Sequence, residues 1–171
     1  MHINVEFKAK CSQLGRIREI LQREGADYKG RDHQIDVYFN VLRGRLKLRK
    51  GDIENSLIAY EREDYAGAKQ STVHLVRVES GSNLERALTT TLGVKVVVDK
   101  QRDIYFMGNV KFHVDEVSGL GSFIEVEAID LDGTVGRERL QEQCNYYKSL
   151  LGISEEDMIS QSYSDLLLAK N

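Results

Sequence analysis

The sequence predicts a mainly β fold in which one antiparallel sheet, able to close into an eight-stranded barrel, carries a few helices on its outside. Three observations predict it. Apolar and charged residues alternate with a period of two in eight segments of the 171-residue chain. Most of these segments are joined by short turns, whereas a parallel crossover needs about a dozen residues or more. Helical periods are few, and no linker divides the chain, which predicts a single domain over residues 1–171.

The first strand, at residues 2–10, shows the alternation clearly, because Ile3, Val5 and Phe7 alternate with polar residues. Seven further strands of ordinary length complete the set. They are predicted at 34–41, 44–50, 56–64, 71–79, 94–105, 109–117 and 122–130.

Helices are expected in four places, three of them beside a residue that can cap a first turn. They are a helix over 13–24 capped by Ser12, a helix from a Ser82/Glu85 capping box to about Leu92, a longer helix at roughly 134–151, and a short final helix capped by Ser154.

Composition excludes several classes of protein. The net charge of −3 predicts no general attraction to nucleic acid or to an anionic membrane. No apolar run approaches the ~18 residues of a membrane span, and the amino-terminal residues alternate where a signal peptide would be apolar. We therefore expect a cytoplasmic protein. Cys11 and Cys144 are too few for a disulfide framework, and no histidine lies near enough to them to predict a zinc site.

Charge is sorted by strand. The middle strands carry cations, and the first and last strands carry carboxylates. The cations are Arg45, Lys47, Arg49, Arg62 and Arg77, and the carboxylates are Glu6, Asp115, Glu125 and Glu127. Eight antiparallel strands can close around a lumen wide enough for side chains or one small ligand.

If the charged faces point inward, closure brings the carboxylates together, and oxygen ligands without His or Cys suit Mg²⁺ or Mn²⁺. Opposing Arg and Lys side chains suit a polyphosphate, because guanidinium groups match phosphate oxygens. A metal-bound polyphosphate would satisfy both groups. An open sheet whose polar face is simply solvated explains the alternation equally well and stays open here.

These residues also lie in segments that resemble the CYTH family, the triphosphate tunnel metalloenzymes. The resemblance extends over nearly the whole chain. It is carried by residues 4–8 (NVEFK), 34–39 (QIDVYF), 44–49 (GRLKLR), 57–62 (LIAYER), 100–102 (KQR), 113–127 (HVDEVSGLGSFIEVE) and 162–167 (SYSDLL).

The resemblance implies one CYTH domain over 1–171, built as a closed eight-stranded tunnel that binds a triphosphate and Mg²⁺ or Mn²⁺. Matching by position implies roles for two sets of residues. The implied phosphate ligands are Lys8, Arg45, Lys47, Arg49, Arg62, Arg77, Lys100 and Arg102. The implied catalytic and metal group is Glu6, Asp115, Glu125 and Glu127.

One position departs from the family pattern, because Asn4 stands where the opening motif has its first glutamate. An uncharged ligand lowers metal affinity, which depends on ligand charge. His113 shares the face of Asp115, although a lone histidine is more often a structural hydrogen bonder.

Three functions follow from the resemblance. The match around residues 113–123 and the LIAYER segment look closest to class IV adenylyl cyclases, which convert ATP to cyclic AMP and pyrophosphate. The alternatives are an inorganic or thiamine triphosphatase and a non-catalytic triphosphate-binding module. The expected partner is therefore ATP, tripolyphosphate or thiamine triphosphate, with no nucleic acid and no membrane, and a homodimer is compatible with the sequence.

Overall fold

The computed structural model describes residues 2–62 and 67–170, and these form one closed antiparallel barrel, as predicted. Its eight strands are β1 His2–Lys10, β2 Asp27–Phe39, β3 Arg45–Lys50, β4 Ser56–Arg62, β5 Lys69–Arg77, β6 Val94–Met107, β7 Val110–Val117 and β8 Gly121–Asp130. Around the barrel they follow the order β5, β4, β3, β2, β6, β7, β8 and β1. Pairing of β1 with β5 closes the ring.

A short additional strand, β9 (Met158–Ile159), pairs with β1 beside this closure. On this side of β1, residues His2 to Glu6 pair with β5. At Lys8 and Ala9, the partner is β9 instead. The seam of the barrel is therefore shared between β5 and the carboxyl-terminal part of the chain.

The predicted strand boundaries hold best where alternation is regular. β2 begins at Asp27 and not near residue 34, because β6 is long enough to pair Phe106 with Asp27. The register shifts between Tyr28 and Gly30, which interrupts the alternation that would have revealed this extension. Of the strand predicted at 56–64, residues 63–64 lie outside the described residues.

In the described part of the chain, helices occupy three of the four predicted regions, and the fourth helix lies later than predicted. The helices are α1 Leu14–Arg23, α2 Leu84–Leu92, α3 Arg137–Leu150 and α4 Tyr163–Ala169. None of these helices has the length and apolar character that crossing a bilayer requires.

The predicted caps were wrong. The caps of α1 and α2 are Gln13 and Asn83, neither with a side-chain cap hydrogen bond. The carboxylate of Glu85 instead lies 2.8 Å from the ammonium of Lys50. Near the end of the chain the capping box belongs to α4, where Ser162 accepts from the backbone N–H of Asp165 at 3.1 Å.

The residue expected to cap the last helix, Ser154, precedes a 3₁₀ turn at Glu155–Asp157. The α4 helix starts later because its own capping box, not Ser154, satisfies its first backbone N–H groups.

The apolar strand faces point outward and are covered by the helices. Val5 and Phe7 of β1 share the largest buried cluster with Ile17 of α1 and Leu140 of α3. A second cluster packs α2 over β2 and β3. The polar strand faces are consequently left to line the inside of the barrel.

Candidate functional site: a charged tunnel

The polar strand faces enclose one cavity of about 520 Å³. At one end α4 covers the cavity, and its Tyr163 packs on Phe123 with ring centroids 5.0 Å apart. Toward the other end the lining residues Leu75, Arg77 and Leu131 are exposed, which makes this end the mouth.

Three of the four predicted carboxylates come together on adjacent strands. One oxygen from each of Glu6, Glu125 and Glu127 lies within 4.8 Å of the others. Glu6 and Glu127 are direct cross-strand partners of β1 and β8, and Glu125 faces Lys8 in the same ladder. Closure of the barrel therefore creates the cluster from residues far apart in sequence.

The cluster holds more negative charge than a buried site usually tolerates. Burial and the neighbouring carboxylates of Glu125 and Glu127 raise the pKa of Glu6 to about 8. Burial acts in the same direction on Glu125, but Lys8, His113 and Arg102 overcome it and hold its pKa well below the usual range. A divalent cation fits this set, because it supplies positive charge and prefers carboxylate oxygens.

Asp115 does not join the cluster. Arg102 donates to both of its carboxylate oxygens at 2.7 Å, and the hydroxyl of Tyr163 donates to one of them at 2.7 Å. Burial acts to raise its pKa, but Arg102 lowers it. The Asp115 carboxylate thus pairs with Arg102, and its hydrogen bond from Tyr163 holds α4 over the closed end of the tunnel.

A second buried carboxylate, Asp36 of β2, organises three of the predicted phosphate ligands. The guanidinium of Arg49 donates to both of its oxygens at 2.9 Å. The ammonium groups of Lys100 and Lys47 lie 2.7 and 3.2 Å from one of them. One anion therefore holds three cations in a common wall, which leaves excess positive charge in the lumen.

Two more predicted ligands lie beside the carboxylate cluster. The ammonium of Lys8 is 4.0 Å from Glu125 and 3.9 Å from the ring centroid of Tyr163, and burial lowers its pKa. Arg62 approaches Glu6 at 3.5 Å through Nη1, and its buried Nε and Nη2 have no hydrogen-bond partner. These guanidinium donors are available to a ligand.

The remaining two predicted ligands lie at opposite ends of the tunnel. Arg45 donates to Asp165 of α4 at 2.8 Å at the closed end of the barrel, and it is not among the residues that line the cavity. Arg77 lines the mouth and is exposed. The other predicted phosphate ligands line the cavity from its closed end to its mouth and do not form one compact ring.

Three uncharged polar side chains line the tunnel with buried atoms left unpaired. The Oδ1 of Asn4 and the Oγ of Ser71 lack partners, and these two residues face each other between β1 and β5. Both ring nitrogens of His113 are also unpaired, with Nδ1 3.8 Å from Glu125. His113 is therefore not the satisfied hydrogen bonder that a lone histidine usually is.

Three charged residues of the barrel interior were not predicted as site residues from the sequence, namely Asp36, Glu54 and Lys111. Asp36 sits two residues from Tyr38, on the same strand face, so strand parity alone could have indicated it. Lys111 shares its face with His113 and is detectable in the same way. Glu54 lies in a turn between β3 and β4, where no periodicity shows which way a side chain points.

Comparison with known proteins agrees with this architecture. The family model described as CYTH domain matches residues 2–163. A protein of Methanocaldococcus jannaschii, named provisionally as an adenylate cyclase, is 28% identical over 176 residues, covering 96% of this chain and 98% of that protein.

Solved structures share the fold over almost their entire length. A Pyrococcus horikoshii protein is 25% identical with a TM-score of 0.72, covering 97% of this chain and 99% of its own. A Vibrio parahaemolyticus protein, named provisionally as an adenylate cyclase, is 18% identical with a TM-score of 0.76, covering 97% and 98%. A Hippeastrum protein described as having a dominant triphosphatase activity is 13% identical with a TM-score of 0.60, covering 99% and 95%.

Proposed function

The chain belongs to the CYTH domain family, and on that basis we propose that it is a divalent-metal-dependent enzyme that acts on a triphosphate bound in its tunnel. One observation carries the proposal. The carboxylate cluster of Glu6, Glu125 and Glu127 faces the same cavity as the cationic wall held by Asp36. A metal-bound polyphosphate is the class of ligand that both groups accept together.

The carboxylate cluster is the proposed place of the metal. Its three carboxylates would hold Mg²⁺ or Mn²⁺, and the raised pKa of Glu6 supports a site built for a cation. When bound, the ion would neutralise phosphate charge and activate an attacking oxygen. Asp115 is proposed as a positioning residue, because both of its oxygens are already bound by Arg102.

The proposed reaction is that of a class IV-like adenylyl cyclase. The 3′-hydroxyl oxygen of ATP would attack the α-phosphorus, and the bond to the β-phosphate oxygen would break to release pyrophosphate. Lys47, Arg49 and Lys100 would bind the departing phosphates, since phosphoryl transfer depends mostly on positioning and charge neutralisation. The name of the 28%-identical relative supports this choice of substrate.

Hydrolysis of tripolyphosphate or thiamine triphosphate is the second candidate, with water as the attacking group. It needs the same metal and the same cations. Binding without turnover is the third candidate. The observation in its favour is the uncharged side chain of Asn4, because it contributes no charge to a metal. We also propose that residues 1–171 form one domain.

The test is a product assay on purified protein with ATP, tripolyphosphate and thiamine triphosphate, each with Mg²⁺ or Mn²⁺. Cyclic AMP and pyrophosphate from ATP would support the cyclase, and orthophosphate release would establish the phosphatase instead. Glu127→Gln should lower turnover at least tenfold, whereas the control Glu142→Gln, in an exposed pair on α3, should not. No turnover and no binding of any triphosphate would overturn the proposal.

A further inference from the structure

The turn between β3 and β4, residues 51–55, is held rigidly by Asp32 of β2. The buried Asp32 carboxylate accepts backbone N–H groups from Asp52, Ile53 and Glu54 at 2.7, 2.9 and 3.0 Å. The side-chain amide of Gln34 donates to the same carboxylate at 2.8 Å. Three successive backbone donors on one carboxylate fix the path of the turn.

Close packing reinforces this path. A Cβ on Gly51 would lie 2.6 Å from Oδ2 of Asp32, so the backbone approaches the carboxylate more closely than any other residue allows. The side chain of Asn55 donates to the carbonyl of Gly51 at 2.7 Å and accepts from its N–H at 3.2 Å. The turn therefore presents the side chain of Glu54 in a defined position.

That position is inside the tunnel mouth, against two cations. Glu54 accepts from the ammonium of Lys111 and lies 3.4 Å from Nη1 of Arg49. The amide of Gln34 donates to it at 2.8 Å. Burial acts to raise the pKa of Glu54, but Lys111 and Arg49 hold it far below its usual range, so the carboxylate is charged.

Glu54 differs from the other lumen anions in how it can respond to a ligand. Asp36 and Asp115 project from barrel strands and are buried, whereas Glu54 projects from a turn and its side chain is 25% exposed. An entering anion meets Glu54 before it reaches the cationic wall. Lys111 is buried and pairs with Glu54. Glu54 therefore offsets the attraction that the charge of Lys111 would exert on an anionic ligand.

The mouth around Glu54 combines apolar side chains with the exposed cation Arg77. Ile58, Leu75, Phe106 and Leu131 line this end of the cavity. An organic group attached to a triphosphate chain is less polar than the phosphates, so we expect it to lie at this end, beside the apolar side chains. The phosphate nearest the mouth is then an ester phosphate.

We propose that Glu54 is a specificity-determining residue that selects organic triphosphate esters over inorganic tripolyphosphate by repelling a free phosphate end at the tunnel mouth. The inference rests on the proposed function and deepens it. A terminal phosphate carries about −1.5 to −2 charges near neutral pH, whereas an esterified phosphate within a chain carries one fewer ionisable oxygen. A fixed carboxylate therefore opposes the free end more strongly than the ester.

The test compares equilibrium binding of ATP and of tripolyphosphate to wild-type protein and Glu54→Gln, by calorimetry in chelator so that neither is turned over. The variant should bind tripolyphosphate on the order of tenfold more tightly and ATP less than about threefold more tightly. In the Glu54→Gln background, Lys111→Gln should remove most of the increase in tripolyphosphate affinity, because that increase comes from the positive charge of Lys111 once Glu54 no longer neutralises it. Glu142→Gln controls for the net charge of the protein.

The inference is overturned if Glu54→Gln changes both affinities equally or changes neither. Failure of wild-type protein to bind either anion, with or without metal, would instead overturn the proposed function, and the inference with it. If Glu54→Gln does not fold, Glu54→Asp retracts the carboxylate and keeps its charge. That variant should shift the preference in the same direction by a smaller factor, and an unchanged preference would again count against the inference.

Discussion

Replacing Asp36 by Asn tests whether one buried anion holds the cationic wall together. Asp36 is 1% exposed and contacts the buried Arg49 and Lys100 and the partly buried Lys47, so removing its charge leaves these three cations without their common partner. Breaking a buried ion pair from one side costs about 3–5 kcal/mol. In a domain of this size each kcal/mol lowers Tm by roughly 2–4 °C, so we expect a drop of roughly 6–20 °C.

Urea unfolding followed by circular dichroism measures the change in the free energy of unfolding directly. Asp99→Asn is the matched control, because Asp99 is 52% exposed and its partner His33 lies on the surface. We expect that control to change the free energy of unfolding by less than about 0.5 kcal/mol. If Asp36→Asn lowers the free energy of unfolding by less than about 1 kcal/mol, the claim that Asp36 holds the three cations together is refuted.

The stabilisation that the Asp36 carboxylate provides should decrease in acid. Burial acts to raise the pKa of Asp36, but Arg49, Lys100 and Lys47 lower it well below its ordinary value. The stabilisation is therefore fully present above the pKa of the unfolded state and is lost as pH falls through the folded pKa. The gap between wild-type protein and Asp36→Asn should persist at pH 4 and close only in stronger acid.

Three further outcomes follow from packing. Burial raises the pKa of Cys144 to about 12, so iodoacetamide at pH 8 should leave this thiol unmodified in the folded protein and label it after unfolding, as peptide mass spectrometry can measure. Tyr163→Phe removes a buried hydrogen bond to Asp115 and should cost about 1–3 kcal/mol in urea unfolding, and an unchanged midpoint would show that the bond contributes nothing. Gly51→Ala places a methyl group against Asp32 and should lower stability by about 1–3 kcal/mol, measured by thermal melting, whereas Gly15→Ala, with open space around its Cβ, should not lower it.

The barrel could be predicted from sequence because its signal is local. Alternation within β1 places Val5 and Phe7 on one face and Glu6 and Lys8 on the other, and a closed sheet must bury one face and enclose the other. The helix caps could not be predicted in the same way. Glu85 has the spacing of a capping box, but a lysine distant in sequence takes its carboxylate.

The sequence indicated which residue types line the site better than it indicated which of them form ion pairs with each other. The sorted charges indicated that Glu6, Glu125 and Glu127 would meet, and they lie together in the structure. The same reasoning grouped Asp115 with them. Its pairing with Arg102 depends on the register between β6 and β7, and alternation within one strand carries no information about register across strands.

The shared seam on β1 has a mechanical consequence. β9 pairs with β1 beyond the point where its pairing with β5 ends, and the chain then continues into α4. One carboxyl-terminal segment therefore both completes the backbone pairing of β1 and closes one end of the tunnel. A chain cut short after residue 157 would lose both at once. It would become a pore open at each end, with a bare strand edge ready to pair with another molecule.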